Sequence, residues 1–394
     1  MSKKITVDYA LNRGVEEILP SKKGLSSLMD KKKITLYQGF DPSMPSLHLG
    51  NLVGLIKLKH FQELGHKVIF LVGDFTGMIG DPTDKSATRK KLTRSEVLKN
   101  AEKWKDQASR VLDFEGENPA EIKFNSKWND KVSFKDLIEI TSHFSVQRLL
   151  ERDMFEKRIK SGKPIRLHEF LYPVAQAVDS LEMDVDLEIG GSDQVFNMLA
   201  GRSLMKSVKG KEKYVLSTKL LTDSKGDKVG KTTGNALFLD SKPQEFYSGI
   251  MSFPDETLLD SFELLTDIDL EQIKKEIKDD PMQAKKKLAY TIVNRLWGEK
   301  DAIGAQLHFE NTFQKGKVPD NITEKHISES PIALLDLVWE AGVVTSRSQI
   351  KRLIADGAIE IDGKKYTNPV EEINIDNPVV VKIGKIIYVK ISLI

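Results

Sequence analysis

Cysteine is absent from all 394 residues, which excludes disulfides, thiolate metal sites and a cysteine nucleophile. Long apolar runs are absent too. No stretch approaches the roughly 20 residues of a membrane span, and the basic start Met1-Ser2-Lys3-Lys4 leads into Ile5-Thr6-Val7-Asp8 rather than an apolar signal core, so the reading is a cytoplasmic protein with no membrane partner. Charge of one sign is scarce: 60 basic residues nearly cancel 58 acidic ones, for a net +2. No internal repeat or low-complexity tract is present. The 40% hydrophobic and 30% charged content, with 26 glycines and 14 prolines, is that of a soluble globular chain. Its length allows two or three domains.

Local charge says more than the total. Asp84 to Arg110 holds nine Lys or Arg against four acids, and Lys206 to Lys231 holds eight Lys against three. Such runs are usually solvated helix faces. Here both adjoin glycine-rich segments, which favours phosphate binding.

The hydrophobic pattern organises the chain. Ile34 to Tyr37 reads as a short strand, Leu52 to Leu64 as a helix closed by Gly65, and Lys67 to Asp74 as a buried strand, together a parallel crossover unit whose ligands bind at the carboxyl ends of the strands. Leu92 to Leu112 reads as one amphipathic helix with Thr93 and Glu96 in capping-box spacing. Phe134 to Ile159 and Leu167 to Leu181 are helical, Asp184 to Ile189 alternates as a strand, and Val215 to Thr218 is another. The expected fold is therefore α/β: a Rossmann-like parallel-sheet catalytic domain over residues 1–240 and a helical domain over 241–313. A polar linker over 314–330 leads to a small α+β module over 331–394. In that module helices are expected at Ile332 to Ala341 and Arg347 to Asp356, with strands at Ile359 to Ile361, Val379 to Ile383 and Ile386 to Ile391.

Two segments carry the chemistry. Tyr37 to Gly54 places Asp41, Pro42, His48 and Gly50 between an apolar strand and an apolar helix. Glycine admits close approach of a bulky ligand, a helix start offers free amides and a positive dipole end, and imidazole donates to phosphate oxygens. Asp223 to Asn235 sets Lys228 and Lys231 in a loop broken by Gly226, Gly230 and Gly234. It lacks the glycine spacing of a Walker loop; beside the first segment it suits a mobile cationic cover over a leaving pyrophosphate.

These two segments resemble the histidine and lysine signatures of class I aminoacyl-tRNA synthetases. The finer resemblance is to tyrosyl-tRNA synthetases of bacterial type, supported by Tyr37 to Pro42, Thr76 to Pro82, Tyr172 to Asp179 and Gly190 to Gln194. The C-terminal module is similar to the RNA-binding fold of a ribosomal small-subunit protein. The resemblance implies a ligase that joins tyrosine to ATP as tyrosyl-adenylate and pyrophosphate, then passes the tyrosyl group to tRNA(Tyr). The tyrosine carboxylate attacks the α-phosphate without a general base, so catalysis rests on positioning and charge stabilisation.

By motif position the resemblance assigns His48, Asn51, Lys85, Arg89, Lys228 and Lys231 to catalysis. Tyrosine falls to Tyr37 and Asp179 at the phenol and to Tyr172, Gln176 and Asp81 at the ammonium. ATP, accompanied by Mg2+, falls to Gly39, Asp41, Ser43, His48, Gly50, Asn51, Gly191, Asp193, Gln194, Lys228, Lys231 and Thr232, with Ser43 on the outer phosphate and Asp193 on the ribose. Tyr172, Gln176 and Asp179 lie at i, i+4 and i+7, so one helix face can present all three. Phenylalanine is expected to be rejected because it leaves Asp179 buried and unpaired. The resemblance further implies a homodimer through Phe144 to Ile159, and no structural metal.

Departures from the family pattern are Asn51 for a second histidine, Val229-Gly230 for methionine and serine, and Val195-Phe196-Asn197 where a tryptophan and glycine are common. Gln38 and Gly54 lie on the expected nucleotide side. His60, His66, His143, His308 and His326 lack metal-ligand spacing, and Trp104, Trp128, Trp297 and Trp339 read as packing residues. The terminal module has eight basic and eight acidic residues, so its hint of RNA binding is the cluster Arg347, Lys351 and Arg352. Two alternatives stay open: a tryptophanyl enzyme of the same fold, and a non-catalytic RNA-binding or splicing factor.

Overall fold

The computed structural model describes residues 4–81, 92–150, 153–222, 237–314, 323–344, 346–384 and 387–393. Two compact units divide the chain, 1–302 and 303–394. The first is built on six strands: β1 (Val15–Leu19), β2 (Thr35–Phe40), β3 (Lys67–Val72), β4 (Glu121–Phe124), β5 (Leu187–Gly191) and β6 (Tyr214–Thr218). Their order is β1-β6-β5-β2-β3-β4. All neighbours run parallel except β1, which lies antiparallel to β6 at an edge.

A parallel sheet is covered on both faces, so its central strands are continuously apolar. Val68 to Val72 of β3 are accordingly all buried. The same rule corrects the alternating reading of Asp184 to Ile189. Asp184 instead closes the preceding helix in the left-handed conformation, the strand starts at Leu187, and Glu188 is buried rather than facing solvent. The covering helices include α1 (Leu49–Glu63), α2 (Leu167–Met183) and α3 (Val195–Lys209). The predicted helix from Leu92 to Leu112 is two, Arg94–Ala101 and Trp104–Ala108. Its Thr93–Glu96 capping box forms, and the break at Glu102 and Lys103 turns Trp104 into the core.

Helices α4 (Leu258–Leu265), α5 (Leu270–Asp279) and α6 (Pro281–Trp297) complete this unit. They meet α1 and the N-terminal segment through buried polar contacts. Arg13 donates to the carbonyls of Phe262, Glu263 and Thr266. Asp267 accepts from Tyr9 at 3.0 Å, meets His60 Nε2 at 2.8 Å and pairs with Arg295. Lys57, 3% exposed on α1, donates to the carbonyls of Ala10 and Arg13 at 2.9 and 2.5 Å.

The second unit holds β7 (Thr323–Ile327), β8 (Ile359–Ile361), β9 (Lys364–Tyr366), β10 (Val379–Ile383) and β11 (Ile387–Leu393), in the order β9-β8-β10-β11-β7. Asp362 and Gly363 both take positive φ between β8 and β9, as a two-residue hairpin turn requires. Helices α7 (Leu334–Glu340) and α8 (Arg347–Ala355) pack on the buried face through Leu334, Leu337, Val338, Ile350 and Ile354. Ile332 and Ala333, expected to begin a helix, form a short strand with Glu372 and Ile373. Within the stretch read as linker, β7 pairs in parallel with β11. Four of its five side chains are exposed, so an edge strand carries the polar composition of a linker. Among the described residues no helix is long and apolar enough to cross a membrane.

Burial pulls the Lys57 ammonium down from 10.5 to about 7, with Asp267 opposing and Arg13 reinforcing the effect. Between pH 7 and 10.5 the unfolded chain therefore binds a proton that the folded chain does not, so stability rises with pH there by about 1.4 kcal/mol per unit. Lys57→Met removes that slope. In urea titrations at pH 7 and pH 9, the stability difference between wild type and variant should change by about 2 to 3 kcal/mol in favour of wild type at the higher pH; parallel profiles would overturn this.

Candidate functional site

Strand order reverses direction at the β5/β2 boundary, since the chain leaves β2 for β3 and β4 on one side and returns through β5 and β6 on the other. Ligands of open parallel sheets bind outside the strand ends at such a point. Here the strands separate early: β2 and β5 pair at Leu36–Leu187 and Tyr37–Glu188 only. Beyond that rung β2 continues through Gln38, Gly39 and Phe40 alongside β3 alone. Gly39 is exposed there, and a Cβ on it would meet only Leu71, at 3.8 Å. The crevice is floored by Tyr37 and Glu188 and flanked by Asp41 after β2 and the turn Ser192–Gln194 after β5.

The predicted helix face is present on α2. Tyr172 donates to Asp41 at 2.8 Å, and Gln176 donates to Glu188 at 2.8 Å. Asp179 accepts from Trp128 Nε1 at 2.7 Å and from Asn125 and Asn129 at 3.1 Å each. Burial pushes the Asp179 carboxyl up to about 8, against the pull of those N–H donors, and the nearby Glu188 adds to the rise. The carboxyl is thus already satisfied without a ligand, and the expectation that phenylalanine leaves it unpaired is corrected: what such a ligand lacks is one further bond. Tyr172 is held well above the usual phenol range by burial and then by Asp41, with Asp81 and Asp179 adding to it. Asp41 and Asp81 beside that buried hydroxyl make a negative pocket suited to a cation.

Tyr37 is fully buried, its hydroxyl 2.9 Å from Ser180 Oγ. Burial, then Glu188 and Asp179, raise its phenol well above the ordinary value. Behind it Lys213, also fully buried, forms an ion pair with Glu188 and donates to Ser180 Oγ at 2.9 Å and to the Met198 carbonyl at 3.1 Å. Gly201 makes the room: a Cβ there would lie 2.6 Å from Lys213 Nζ and 2.7 Å from Ser180 Oγ.

On the other side of β2, His48 caps α1. Its Nδ1 accepts from Gly50 N at 3.0 Å, while Asn51 Oδ1 accepts from His48 N at 2.9 Å, closing a capping box. Asn51 therefore fixes the helix start, a role its position in the signature does not reveal. His48 also bridges to Phe238, and Leu49 N donates to the Leu237 carbonyl at 2.8 Å, so the histidine rests on the segment that follows residues 223–236. Gln38 and Gly54 face each other so closely that a Cβ on Gly54 would lie 2.3 Å from Gln38 Oε1.

Of the remaining candidates, Asp81 accepts from Gln194 at 2.6 Å. Ser43 N donates to the Asp41 carbonyl at 2.7 Å. Gly191 ends β5 and Asp193 lies in the turn after it, close enough that a Cβ on Gly191 would lie 2.6 Å from Asp193 Oδ1. Lys85, Arg89, Lys228, Lys231 and Thr232 lie outside the described residues. Among the described residues no group of three or more His, Asp or Glu side chains could hold a metal ion.

Thr76, Asn125, Trp128, Asn129, Ser180, Glu188 and Lys213 escaped the sequence reading. Asn125 uses both amide hydrogens, on Thr76 and Asp179, and Thr76 donates to Asp41 at 2.6 Å. Trp128, taken as packing, both packs beside Tyr37 and donates to Asp179. The available signal was Glu188, a charge inside the apolar run Leu187-Glu188-Ile189 of a parallel strand.

The model of the tRNA synthetases of class I (W and Y) matches residues 29–314, and that of the S4 domain matches residues 334–374. The chain is 40% identical to the tyrosine–tRNA ligase of Aquifex aeolicus over 95% of both chains. It is 39% identical to that of Thermotoga maritima over 97% of this chain and 96% of that one. Among solved structures, a C-terminally truncated mitochondrial tyrosyl-tRNA synthetase of Aspergillus nidulans superposes with TM-score 0.66 at 22% identity, covering 79% of this chain and 95% of that one. The Archaeoglobus fulgidus enzyme complexed with L-tyrosine gives 0.59 at 20% identity, over 76% and 98%. At these identities the structures speak for the fold.

Proposed function

We propose that this chain, which belongs to the class I tRNA synthetases and within them to the tyrosine–tRNA ligases, activates tyrosine with MgATP to tyrosyl-adenylate and pyrophosphate and then esterifies the terminal adenosine of tRNA(Tyr). The observation that carries the residue-level reading is the crevice between β2 and β5, with Tyr37 and Asp179 at one end and Asp41 and Asp81 about Tyr172. An aromatic amino acid fits it lengthwise. Its phenol meets Tyr37 and Asp179, and its ammonium meets the negative pocket formed by Asp41, Asp81, Tyr172 and Gln176.

The substrate carboxylate is ionised at neutral pH, so no base is needed; the residues hold it in line with the α-phosphate. His48, Gly50 and Asn51 at the start of α1, with exposed Gly39, face the nucleotide. Asp193 and Gln194 serve the ribose side. Lys85, Arg89, Lys228 and Lys231 neutralise the charge that develops on pyrophosphate, and Mg2+ arrives on the ATP phosphates. Tyr37 and Asp179 together favour a phenol over an indole, because a phenol oxygen can accept from Tyr37 while it donates to Asp179, whereas an indole N–H only donates. The cytoplasm, where ATP and tRNA are available, is the proposed setting.

Arg347, Lys351 and Arg352 are exposed on α8, and the Arg347 guanidinium lies 5.6 Å from the Trp339 ring centre. We assign this face of the terminal unit to tRNA. Phe134, Ile138, Val146 and Leu167 are 58% to 79% exposed, and large apolar side chains left this open support covering by a second copy.

Pyrophosphate exchange into ATP should depend on tyrosine and not on tryptophan or phenylalanine; exchange with tryptophan alone would transfer the assignment to the sister enzyme. Asp179→Ala should raise the tyrosine KM by about 10-fold or more, while Lys231→Ala should lower kcat with tyrosine binding nearly intact. Equal loss of tyrosine affinity in both would contradict these roles. Removing residues 315–394, which takes β7 out with its sheet, should spare exchange and impair tRNA charging. Light scattering should give twice the 44.4 kDa chain mass, and Phe134→Asp with Leu167→Asp should halve it; a monomeric wild type would reject the dimer.

A further inference from the structure

We infer that the buried Lys213–Glu188 ion pair sets the direction of a hydrogen-bond chain, through Ser180 and Tyr37, that makes the pocket read a phenol as both acceptor and donor. The inference rests on the reading of this crevice as a tyrosine pocket and adds Lys213, Glu188 and Ser180 to it as positioning residues.

The Lys213 ammonium has three N–H groups and three acceptors: Glu188, Ser180 Oγ at 2.9 Å and the Met198 carbonyl at 3.1 Å. Ser180 Oγ thus receives a hydrogen bond from a cation and retains one hydrogen to give. Its neighbours are the Tyr37 oxygen at 2.9 Å and Glu188 Oε2 at 3.4 Å. The nearer takes it, because Glu188 is already engaged by Lys213 on Oε2 and by Gln176 on Oε1. Tyr37 then accepts from Ser180, and its own hydrogen turns to Glu188, whose hydrogen bond helps raise the Tyr37 phenol, until a substrate oxygen in the crevice offers the alternative. A substrate phenol accepts that hydrogen on its oxygen and gives its own to Asp179. The polarity runs Lys213, Ser180, Tyr37, phenol, Asp179.

The pair also spans the pocket lengthwise. Glu188 is the register partner of Tyr37 on the last rung that joins β2 to β5, and it holds the Gln176 amide at 2.8 Å. Lys213 Nζ lies 5.9 Å from the Tyr37 ring centre, so the cation fixes the ring as well as the hydroxyl chain. One buried pair therefore positions both the phenol end and Gln176. A neutral replacement of Lys213 removes the donor to Ser180, which can then accept from Tyr37. The chain reverses, and Tyr37 no longer offers a hydrogen to the substrate.

Because Lys213→Met alone strands a buried carboxylate, the test variant is Lys213→Met combined with Glu188→Gln, which removes both charges at nearly constant volume. Circular dichroism and the ATP KM establish folding and an intact nucleotide side. Tyrosine-over-phenylalanine selectivity in pyrophosphate exchange, as the ratio of kcat/KM values, should fall by about 10-fold or more, carried by the tyrosine KM. The same double change made in Tyr37→Phe should cost clearly less selectivity than it does in wild type, because the chain from Lys213 ends at the Tyr37 hydroxyl. Unchanged selectivity in the folded double variant, or losses that simply add in the Tyr37→Phe background, would overturn the inference. Wild type without tyrosine-dependent exchange would instead overturn the functional reading on which it rests.

Discussion

Two rungs of pairing join β2 to β5, and the site depends on their number. Had the strands stayed paired to their ends, Gly39 and the residues after it would be closed against β5. The sheet would then offer no opening at the reversal of strand order. Because pairing stops at Tyr37 and Glu188, the last common rung becomes the floor of a crevice, and both of its side chains are polar. Polar groups at a sheet's centre must find partners or exact a large desolvation cost. The partners come from α2, from the segment around Asn125 to Asn129 and from Lys213, so the separation of two strands explains why so many polar side chains converge there.

Such a network is a poor way to gain stability. Buried ion pairs seldom exceed the worth of well-packed apolar residues in their place, whereas losing one member is severe. Around Tyr37, three groups stand where their burial opposes their charge: Asp179 is pushed up to about 8, Lys213 is drawn down by burial against the pull of Glu188, and Tyr37 is raised. What the arrangement provides is direction. On the inferred chain from Lys213, the groups facing the crevice have a preferred polarity, which is the condition for positioning to contribute to rate and selectivity.

How much of this was legible in the sequence follows from how local each signal is. The crossover unit, His48 at a helix start and the i, i+4, i+7 face of α2 are short-range patterns, and the structure contains all three. The partners of that face are not short-range. Lys213 lies 25 residues from Glu188 and 33 from Ser180, and a lone lysine before a strand has the same local sequence whether it reaches into the core or into water. Glu188 was misplaced for a related reason: alternation of charged and apolar residues implies a solvent face only in a half-exposed sheet, and this sheet is covered on both sides. Asn51 was read as a ligand group when the same amide also closes a capping box, since a helix N-terminus makes both uses of one residue chemically equivalent. In the terminal unit, polarity was mistaken for irregularity because an edge strand with four exposed side chains composes like a linker.

Helix α1 connects the site to the rest of the first unit. At its start, His48 and Asn51 close the cap and the backbone joins Leu237 and Leu239. Toward its end, Lys57 is tied to the N-terminal segment and His60 to Asp267, which Arg295 and Tyr9 also hold. Clusters at both ends leave the helix little freedom to slide or rotate, so the imidazole keeps its place relative to β2. The two ends differ in chemistry. The start is half-exposed and polar; the far end is buried and holds a lysine whose pKa burial has drawn down to about 7.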